Sequence, residues 1–283
     1  SITRTWTATD DCGNSATASQ TIVVQDTTPP VITCPSGSPF TRTTDLNTCY
    51  YTVQDGEFNA TASDSCPWGV TLTNSYNSSN TLSGAHLPSG VHNIIWTATD
   101  ACGNVSTCTI EVTVSDNQQP AITCPVPAAS YNTDLDECNA TLSFAATATD
   151  NCGVSGIVYR VGTTVITFPY DFGVGSTAVT ATATDVNGLA SSCNFTVVVV
   201  DNQQPAITCP TPAASYNTDL DECNATLSFA ATATDNCGVS GIVYRVGTTV
   251  ITFPYDFGVG STAVTATATD VNGLASSCDF TVL

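Results

Sequence analysis

The sequence predicts an all-β protein made of tandem sandwich repeats, and three observations support this. The phrase Ile-Thr-Cys-Pro occurs three times, several segments alternate strictly between apolar and polar residues, and turn signals come at short, even intervals. Turns every 8 to 12 residues or so are typical of a β-sandwich. No stretch has the 3.6-residue periodicity of an amphipathic helix.

The strand prediction is clearest where Thr, Val and Ile alternate with small residues. The stretch Ala178–Asp185 reads Ala-Val-Thr-Ala-Thr-Ala-Thr-Asp, and the segment from Ile94 to Asp100 ends in the same way. Residues of this kind suit a pleated surface with one buried face. We therefore predict long strands at both places.

The repeats divide the chain. Copies of Ile-Thr-Cys-Pro begin at Ile32, Ile122 and Ile207, each after an acidic joint that contains proline. A fixed period of this kind indicates an array of similar units. The last two repeats are related by a shift of 85 positions and differ at only three aligned positions. The predicted segments are the C-terminal half of a truncated repeat at 1–26, and repeats at 27–116, 117–201 and 202–283, the last strand of the final one being cut short.

The joints and the first segment bear on the assembly. Proline fixes its own φ angle and biases the residue before it toward extended geometry, so we expect stiff joints and an elongated rod. Residues 1–26 match only the last two strands of a repeat, and two isolated strands are not independently stable. Either the array continues upstream, or another chain supplies the missing strands by strand complementation.

Composition restricts the partners. The chain has 24 acidic residues and 4 basic residues, which give a net charge of -20. This charge excludes nucleic acid and anionic membranes as electrostatic partners. No run approaches the roughly 18 apolar residues that a membrane span needs, so no membrane insertion is predicted in this segment.

The 14 cysteines indicate an oxidising compartment, because they recur at matching places in each repeat. Zinc binding is the competing interpretation. It is disfavoured because no Cys-x-x-Cys motif occurs and because His86 and His92 lie far from any cysteine pair. We therefore predict a disulfide-bonded protein located outside the cell or on its surface.

Three longer segments carry a family signature. The run Asp-Thr-Thr-Pro-Pro-Val-Ile-Thr-Cys-Pro from Asp26, the segment Thr97–Val114 and the segment Phe172–Asp201 resemble the hyalin repeat (HYR) domain. The resemblance covers essentially the whole chain. It implies tandem immunoglobulin-like β-sandwich repeats and a role in adhesion, matrix or fibres, and it identifies no ligand. The additional cysteines are similar to those of bacterial surface arrays of the Bacteroidota type.

The same resemblance implies part of the disulfide pairing. Related repeats bond the Ile-Thr-Cys-Pro cysteine to the one that opens the last strand, which gives Cys34–Cys108, Cys124–Cys193 and Cys209–Cys278. The remaining cysteines would then pair as Cys138–Cys152 and Cys223–Cys237. A straight strand of thirteen residues would hold those sulfurs too far apart, so either the segment folds back or this pairing is wrong. The partners of Cys12, Cys49, Cys66 and Cys102 stay open.

Calcium is the one cofactor that the sequence indicates. In an immunoglobulin-like sandwich the chain entry, the loop between the second and third strands and the last hairpin gather at one end. Calcium takes six to eight oxygen ligands, and three carboxylates would supply part of such a set. The alternative is that aspartate simply suits turns. The three candidate sets are Asp26, Asp64 and Asp100; Asp116, Asp150 and Asp185; and Asp201, Asp235 and Asp270.

Glycosylation is a further prediction. The number of Asn-x-Ser/Thr sequons is close to the number expected by chance in a chain so rich in Ser and Thr. O-glycosylation of the threonine-rich surface near Asp26 or Asp64 is also open. The candidate N-linked sites are Asn59, Asn77, Asn104, Asn139, Asn194 and Asn224.

No enzyme is predicted. The paired carboxylates of the loop Asp134–Glu137 recur almost unchanged at Asp219–Glu222, which suits a scaffold better than an active site. His86 and His92 lack partners for a triad or a metal centre.

The predicted function is therefore that of a building block of an extracellular filament. The alternatives are the stalk of a large adhesin and the accessory region of a secreted polysaccharide-degrading enzyme. The predicted partners are other copies of the chain, joined end to end or side by side; surface glycans and host or matrix proteins are the alternatives.

Overall fold

The computed structural model describes residues 1–66 and 68–283, and every regular element in these ranges is a β-strand. No helix among the described residues is long and apolar enough to cross a membrane. The prediction of an all-β protein is confirmed.

The chain forms two compact units. The first comprises Ser1–Pro120 together with the short segments Asp150–Val154 and Asp185–Leu189. The second comprises Ala121–Thr149, Ser155–Thr184 and Ala190–Leu283. Two loops of the third repeat thus belong to the same compact unit as the second repeat.

The chain opens with an antiparallel hairpin of two strands, β1 (Ile2–Thr9) and β2 (Ser15–Ile22). Its register pairs Ile2 with Ile22 and Thr9 with Ser15. Every residue of both strands is exposed, so the hairpin buries no core of its own.

The second repeat contains one larger sheet and two short strand pairs. Its strands are β3 (Val31–Thr33), β4 (Phe40–Thr43), β5 (Tyr50–Thr52), β6 (Thr61–Ser63), β7 (Val70–Asn74), β8 (His86–Pro88), β9 (Gly90–Asp100) and β10 (Val105–Ser115). The larger sheet has the order β4-β10-β9-β7, and β3 pairs with β6 and β5 with β8. Strand β4 runs parallel to β10, whereas β9 is antiparallel to it.

The core of the second repeat is built around Trp96. This side chain is fully buried, and its indole Nε1 donates a hydrogen bond to the carbonyl of Phe58 over 3.1 Å. Leu87 and Ile110 belong to the same cluster, and the disulfide-bonded Cys34 and Cys108 pack against it.

Among the described residues the third repeat has nine strands and the fourth has eight, because the strand Tyr131–Asn132 of the third repeat has no counterpart in the fourth. Those of the third are β11 (Ala121–Thr123), β12 (Tyr131–Asn132), β13 (Asn139–Leu142), β14 (Thr147–Thr149), β15 (Val154–Val161), β16 (Thr164–Ile166), β17 (Tyr170–Gly173), β18 (Gly175–Asp185) and β19 (Ala190–Val200). Those of the fourth are β20 (Ala206–Thr208), β21 (Asn224–Leu227), β22 (Thr232–Thr234), β23 (Val239–Val246), β24 (Thr249–Ile251), β25 (Tyr255–Gly258), β26 (Thr262–Asp270) and β27 (Ala275–Val282).

Their sheets follow one plan. The third repeat has the order β12-β19-β18-β15-β16, with β11 paired to β14 and β13 to β17. The fourth has the order β24-β23-β26-β27, with β20 paired to β22 and β21 to β25. Each repeat encloses one apolar cluster in which a central phenylalanine, Phe144 or Phe229, contacts several other aromatic rings. These are the immunoglobulin-like sandwiches that the sequence predicts.

Candidate metal centres

The alternation of strand β18 places an aspartate at its last inward position. Val179, Ala181 and Ala183 are fully buried, and the polar residues between them point away from the core. Two residues beyond Ala183 the same face carries Asp185, of which 1% is exposed. The strand pattern itself therefore buries a carboxylate where the strand ends.

Two further aspartates meet Asp185. Asp116 follows strand β10 at the joint, and Asp150 opens the loop after β14. One carboxylate oxygen from each of the three lies within 4.8 Å of the others. All three residues belong to the first compact unit.

One oxygen of each carboxylate holds a turn. Asp185 Oδ1 accepts hydrogen bonds from the backbone N–H groups of Asn187 and Leu189, over 2.8 and 2.9 Å. Asp150 Oδ1 accepts two backbone bonds in the same way, from Cys152 over 2.8 Å and Gly153 over 3.1 Å. The interpretation of these residues as turn formers is thus correct for one of their two oxygens.

The second oxygens are buried without a partner. Asp116, Asp150 and Asp185 each have an Oδ2 atom that accepts no hydrogen bond from the described residues, and Asn151 Oδ1 is in the same state. Burying an unpaired carboxylate oxygen is costly, and three neighbouring negative charges repel one another. A divalent cation removes both costs, and an all-oxygen set of carboxylates and an amide is the kind that Ca²⁺ prefers.

The second compact unit contains a copy of this arrangement. Asp201, Asp235 and Asp270 bring one carboxylate oxygen each within 4.8 Å of the others. Asp270 is 2% exposed, and its Oδ1 accepts the backbone N–H groups of Asn272 and Leu274, both over 2.8 Å. Within the described part of the chain, unpartnered buried oxygens again belong to Asp201 Oδ2, Asp235 Oδ2, Asn236 Oδ1 and Asp270 Oδ2.

The first joint differs from these two. Here Asp26 and Asp64 cluster with the thiol of Cys66, and Asp100 is not a member of the group. The three expected aspartate sets are therefore not equivalent in geometry, and the calcium role of Asp100 stays a prediction. Its Oδ2 accepts a hydrogen bond from Asn104 Nδ2 over 2.8 Å.

Asn104 explains the difference. Its side-chain amide also donates to the carbonyl of Asp26 over 3.1 Å, so a hydrogen-bond donor lies among the oxygens of this joint. Hydrogen bonding from this amide is the main reason that the pKa of Asp100 is lowered. Leu189 and Leu274 stand at the equivalent positions of the next two repeats and offer no donor.

The thiol of Cys66 adds a second difference. A hydrogen bond to the carboxylate of Asp26 raises the pKa of Cys66 to about 11, and the same bond lowers the pKa of Asp26. The corresponding cysteines of the next two repeats, Cys152 and Cys237, are in disulfides.

Three disulfides lie within single repeats. They are Cys34–Cys108, Cys124–Cys193 and Cys209–Cys278, the pairs that the family resemblance implies.

Two disulfides instead join consecutive repeats, and they correct the pairing of the remaining cysteines. Cys49 is bonded to Cys152, and Cys138 is bonded to Cys237. The prediction of Cys138–Cys152 and Cys223–Cys237 is wrong, because Cys152 lies in a loop that meets the second repeat and Cys138 in a turn that meets the fourth. Among the described residues Cys12, Cys66, Cys102 and Cys223 are free.

Side chains next to the bonded cysteines support these joints. Asn151 Nδ2 donates to the carbonyl of Thr48 over 2.8 Å, immediately beside Cys49. Asn236 Nδ2 donates to the carbonyl of Glu137 over the same distance, beside Cys138.

The histidines have structural roles. The ring of His86 stacks on Tyr50 with centroids 4.1 Å apart, and His92 Nε2 lies 2.7 Å from the carbonyl of Pro88. In residues 1–66 and 68–283 neither histidine joins a group of potential metal ligands. The carboxylate of Asp134 in the acidic loop accepts the backbone N–H of Thr141, which is a turn-forming contact.

The sequons differ in exposure. Asn77 and Asn194 are exposed, and the half-buried ones are Asn59, Asn104, Asn139 and Asn224. The side-chain nitrogens of Asn59 and Asn104 are engaged in hydrogen bonds, to Thr81 Oγ1 and Asp100 Oδ2 respectively. Glycosylation at these positions stays a prediction.

The fold and the joints define a tandem array of disulfide-bonded immunoglobulin-like sandwiches. The chain belongs to the HYR domain family, which matches residues 25–114, 115–199 and 200–283. It is 32% identical over 290 residues to hyalin of Strongylocentrotus purpuratus, covering 99% of this chain and 23% of that protein. It is 31% identical over 288 residues to hyalin of Lytechinus variegatus, covering 98% of this chain and 51% of that protein.

The chain thus spans about a quarter to a half of the length of these hyalins. A mouse protein with sushi, von Willebrand factor type A, EGF and pentraxin domains is 32% identical over 178 residues, which are 59% of this chain and 4% of that protein. Among solved structures, Sidekick-1 immunoglobulin domains 1–5 match with a TM-score of 0.39 at 11% identity, over 98% of this chain and 64% of that one. An I-band fragment of titin matches with a TM-score of 0.36 at 10% identity, over 91% and 99%. Because these superpositions are loose, the family assignment depends on the sequence matches.

Proposed function

We propose that this chain is a structural segment of an extracellular protein and a building block of a cell-surface filament. The observation that carries the proposal is the pair of disulfides Cys49–Cys152 and Cys138–Cys237, which bond the second repeat to the third and the third repeat to the fourth. Disulfides indicate an oxidising compartment. Covalent joints suit a protein that must hold its repeats together under load, and they offer nothing to catalysis.

The relatives are compatible with this role. The similar proteins are hyalins and a protein with sushi, von Willebrand factor type A, EGF and pentraxin domains, and none of these names denotes an enzyme. A non-enzymatic function is therefore part of the proposal. Other copies of the chain are the proposed partners, end to end or side by side. Membership of a bacterial surface array is a further proposal that the additional cysteines support, and the relatives reported above come from animals.

Electron microscopy of native material tests the filament. Ordered filaments with a regular axial spacing are expected if the chain polymerises. Thin, isolated threads would contradict the proposal and favour the stalk of an adhesin. A polysaccharide-degrading domain elsewhere in the same polypeptide would favour the accessory region of an enzyme.

We further propose that calcium stabilises two of the joints. Asp116, Asp150, Asp185 and Asn151 would hold one ion, and the matching residues of the fourth repeat a second. Asp185 is 1% exposed, and its unpartnered Oδ2 atom supports this most directly. The joint at Asp26, Asp64 and Asp100 also has one buried oxygen without a partner among the described residues, Asp26 Oδ2. It is proposed not to bind an ion in the same way, since Asn104 already donates to the Asp26 carbonyl and to Asp100 Oδ2.

Calorimetric titration with CaCl₂ tests this part. Two ions per chain are expected, with a higher melting temperature in calcium than in chelator; a ligand at a hundred times its Kd stabilises the folded state by about 2.7 kcal/mol. The variants Asp185→Asn and Asp270→Asn should each remove one ion. Identical melting in calcium and chelator would overturn the calcium sites and leave the disulfide-joined array unaffected.

A further inference from the structure

The turn Asp45–Cys49 of the second repeat receives a defined set of contacts from the third repeat. Gln118 Oε1 accepts the backbone N–H of Asn47 over 2.8 Å, and Gln118 Nε2 donates to the carbonyl of Asp45 over 3.0 Å. Asn151 donates to the carbonyl next to Cys49, and the disulfide to Cys152 completes the set. We call this element the docking turn.

The docking turn of the third repeat, Asp134–Cys138, receives the same set from the fourth. Gln203 Oε1 accepts the backbone N–H of Asp136 over 3.1 Å, and Gln203 Nε2 donates to the carbonyl of Asp134 over 2.9 Å. Asn236 and Cys237 repeat the other two contacts. One recognition pattern is thus used twice, with one glutamine, one asparagine and one cysteine supplied by the incoming repeat.

The fourth repeat carries a third docking turn, Asp219–Cys223, with the same shape. The Asp221 backbone has a φ of 64°, against 60° at Asp136 of the preceding turn. The N–H of Glu222 donates to the carbonyl of Asp219 over 3.1 Å, and the N–H of Glu137 donates to the carbonyl of Asp134 over 3.2 Å in the preceding turn. A positive φ is uncommon for residues other than glycine, although aspartate adopts it more readily than most. The turn therefore holds its binding conformation without a bonded neighbour.

The groups that bind a neighbour are free on this third turn. Cys223 is exposed and unbonded. Across the described residues, neither the N–H of Asp221 nor the carbonyl of Glu222 has a hydrogen-bond partner.

We propose that the turn Asp219–Cys223 is a preformed docking site for a further HYR repeat, and that Cys223 forms a disulfide with it. The partner is a repeat of the type that supplies Asp-Asn-Gln-Gln-Pro and Asp-Asn-Cys, as the third and fourth repeats do. In the bond-forming step the two thiols lose two protons and two electrons. An oxidised small-molecule disulfide such as oxidised glutathione takes up both and is reduced to two thiols.

The contacts also predict which repeats are rejected. The second repeat has Thr28 where the third has Gln118, and Ser65 where the third has Asn151. The second repeat thus lacks both side-chain amides that hydrogen-bond to a docking turn, although Cys66 stands at the position equivalent to Cys152. A second copy of this chain that presents its second repeat is therefore a poor partner for Cys223. Its third and fourth repeats are already bonded through Cys152 and Cys237.

The test extends the chain by one repeat. A second copy of residues 199–283 is added after Leu283, which preserves the 85-residue period. Both the native and the extended chain are refolded in a glutathione buffer, alkylated without reduction, digested and analysed by mass spectrometry. In the extended chain we expect Cys223 linked to the added cysteine that corresponds to Cys237. In the native chain we expect Cys223 alkylated and Cys138 protected.

A matched control tests the specificity. The added repeat is given the second-repeat residues, with the changes Gln203→Thr and Asn236→Ser made at its corresponding positions. Each lost hydrogen bond should lower the equilibrium constant for the new disulfide roughly fivefold, since such bonds contribute on the order of 1 kcal/mol. An unchanged constant would overturn the role of the amides.

Other results would overturn the docking site itself. The peptides Cys49–Cys152 and Cys138–Cys237 report correct folding in every sample, and an alkylated Cys223 in a correctly folded extended chain would contradict the proposal. Disulfide-linked oligomers of the native chain through Cys223 and Cys66 would contradict the predicted partner. In a Cys223→Ser extended chain, hydrogen exchange at the Asp221 N–H should still be slower than in the native chain, because the amide contacts remain. The inference holds whether or not the array forms filaments.

Discussion

Asn104 donates its side-chain amide to Asp100 Oδ2 over 2.8 Å, and in doing so it fills the position that leucine occupies in the next two repeats. Asn14 makes the same contact to Asp10 Oδ2 over 3.0 Å in the opening hairpin. The chain therefore contains two kinds of hairpin end. In the first kind an asparagine donates a hydrogen bond to Oδ2 of the aspartate. In the second kind, at Asp185 and Asp270, the Oδ2 atom is buried without a hydrogen-bond partner among the described residues.

The substitution Leu189→Asn should give the hairpin end at Asp185 the same asparagine contact that Asn104 makes to Asp100. The new amide is expected to reach Asp185 Oδ2, so that calorimetry finds one calcium ion per chain instead of two. Leu189→Ala is the control, because it also shortens the side chain and supplies no donor; it should keep both ions. A stoichiometry of two in the asparagine variant would show that the amide does not compete with the cation.

Removing the disulfide between the second and third repeats should loosen the joint that begins at Asp116. In the double variant Cys49→Ser/Cys152→Ser we expect faster proteolytic cleavage at residues 116–120 and a lower melting temperature. A loop of about 100 residues gives a stabilisation of up to about 4.7 kcal/mol in the chain-entropy description. Limited proteolysis with mass spectrometry measures the first effect. The double variant Cys12→Ser/Cys223→Ser, which changes free cysteines, should leave both quantities as they are.

Trp96→Phe should destabilise the second repeat by about 2–4 kcal/mol. The smaller ring leaves a cavity, and the carbonyl of Phe58 loses the indole donor. Urea denaturation followed by circular dichroism measures the change. Trp6→Phe makes the same substitution at a residue that is 46% exposed, and it should cost less than about 0.5 kcal/mol. Equal effects of the two variants would mean that Trp96 is not a core residue.

Glu57 should make the second repeat sensitive to acid. Burial acts to raise the pKa of Glu57, but hydrogen bonds from Tyr51 and Arg42 outweigh it and the pKa lies below its usual range. A lowered pKa in the folded state stabilises above the unfolded pKa of about 4.3, and the contribution is lost as the pH falls through the folded pKa.

Glu57→Gln should therefore make the free energy of unfolding less dependent on pH below about pH 4.5. At pH 7 the substitution should lower the free energy of unfolding by about 1–3 kcal/mol. Urea denaturation between pH 3 and 7, monitored by Trp96 fluorescence in a Trp6→Phe/Trp68→Phe background, measures both. Asp55→Asn, at an exposed neighbour, is the control. A pH profile parallel to that of the unsubstituted protein would contradict the role of Glu57.

Much of the fold is readable from local pattern, because strands obey a two-residue period. The alternation from Ala178 predicts strand β18, and its continuation by one step predicts that Asp185 is buried. The convergence of Asp116 and Asp150 on that position follows from the topology of the sandwich. A role as calcium ligands would use the Oδ2 atoms of these aspartates, and the role in forming turns uses their Oδ1 atoms. The two roles are therefore compatible and need not be treated as alternatives.

The pairing of the additional cysteines could not be predicted in the same way. Cys152 and Cys237 have nearly identical sequence surroundings, and so do Cys138 and Cys223, so spacing alone cannot tell bonds within a repeat from bonds between repeats. The role of Asn104 was missed, although a signal was present. The second repeat reads Asp-Ala-Cys-Gly-Asn where the third reads Asp-Val-Asn-Gly-Leu, and this exchange of leucine for an amide marks the joint that differs.

The staggered disulfides also determine how the chain responds to pulling. A polypeptide of sandwich domains without disulfides between them lengthens under tension, because each domain unfolds and its backbone extends. Here a force entering at Cys34 can pass along the backbone to Cys49, across to Cys152, back to Cys138, and across again to Cys237. This route bypasses most of the backbone between its ends. A chain with these bonds intact would therefore lengthen little under force. Reducing the bonds would let the repeats unfold one by one and lengthen the chain.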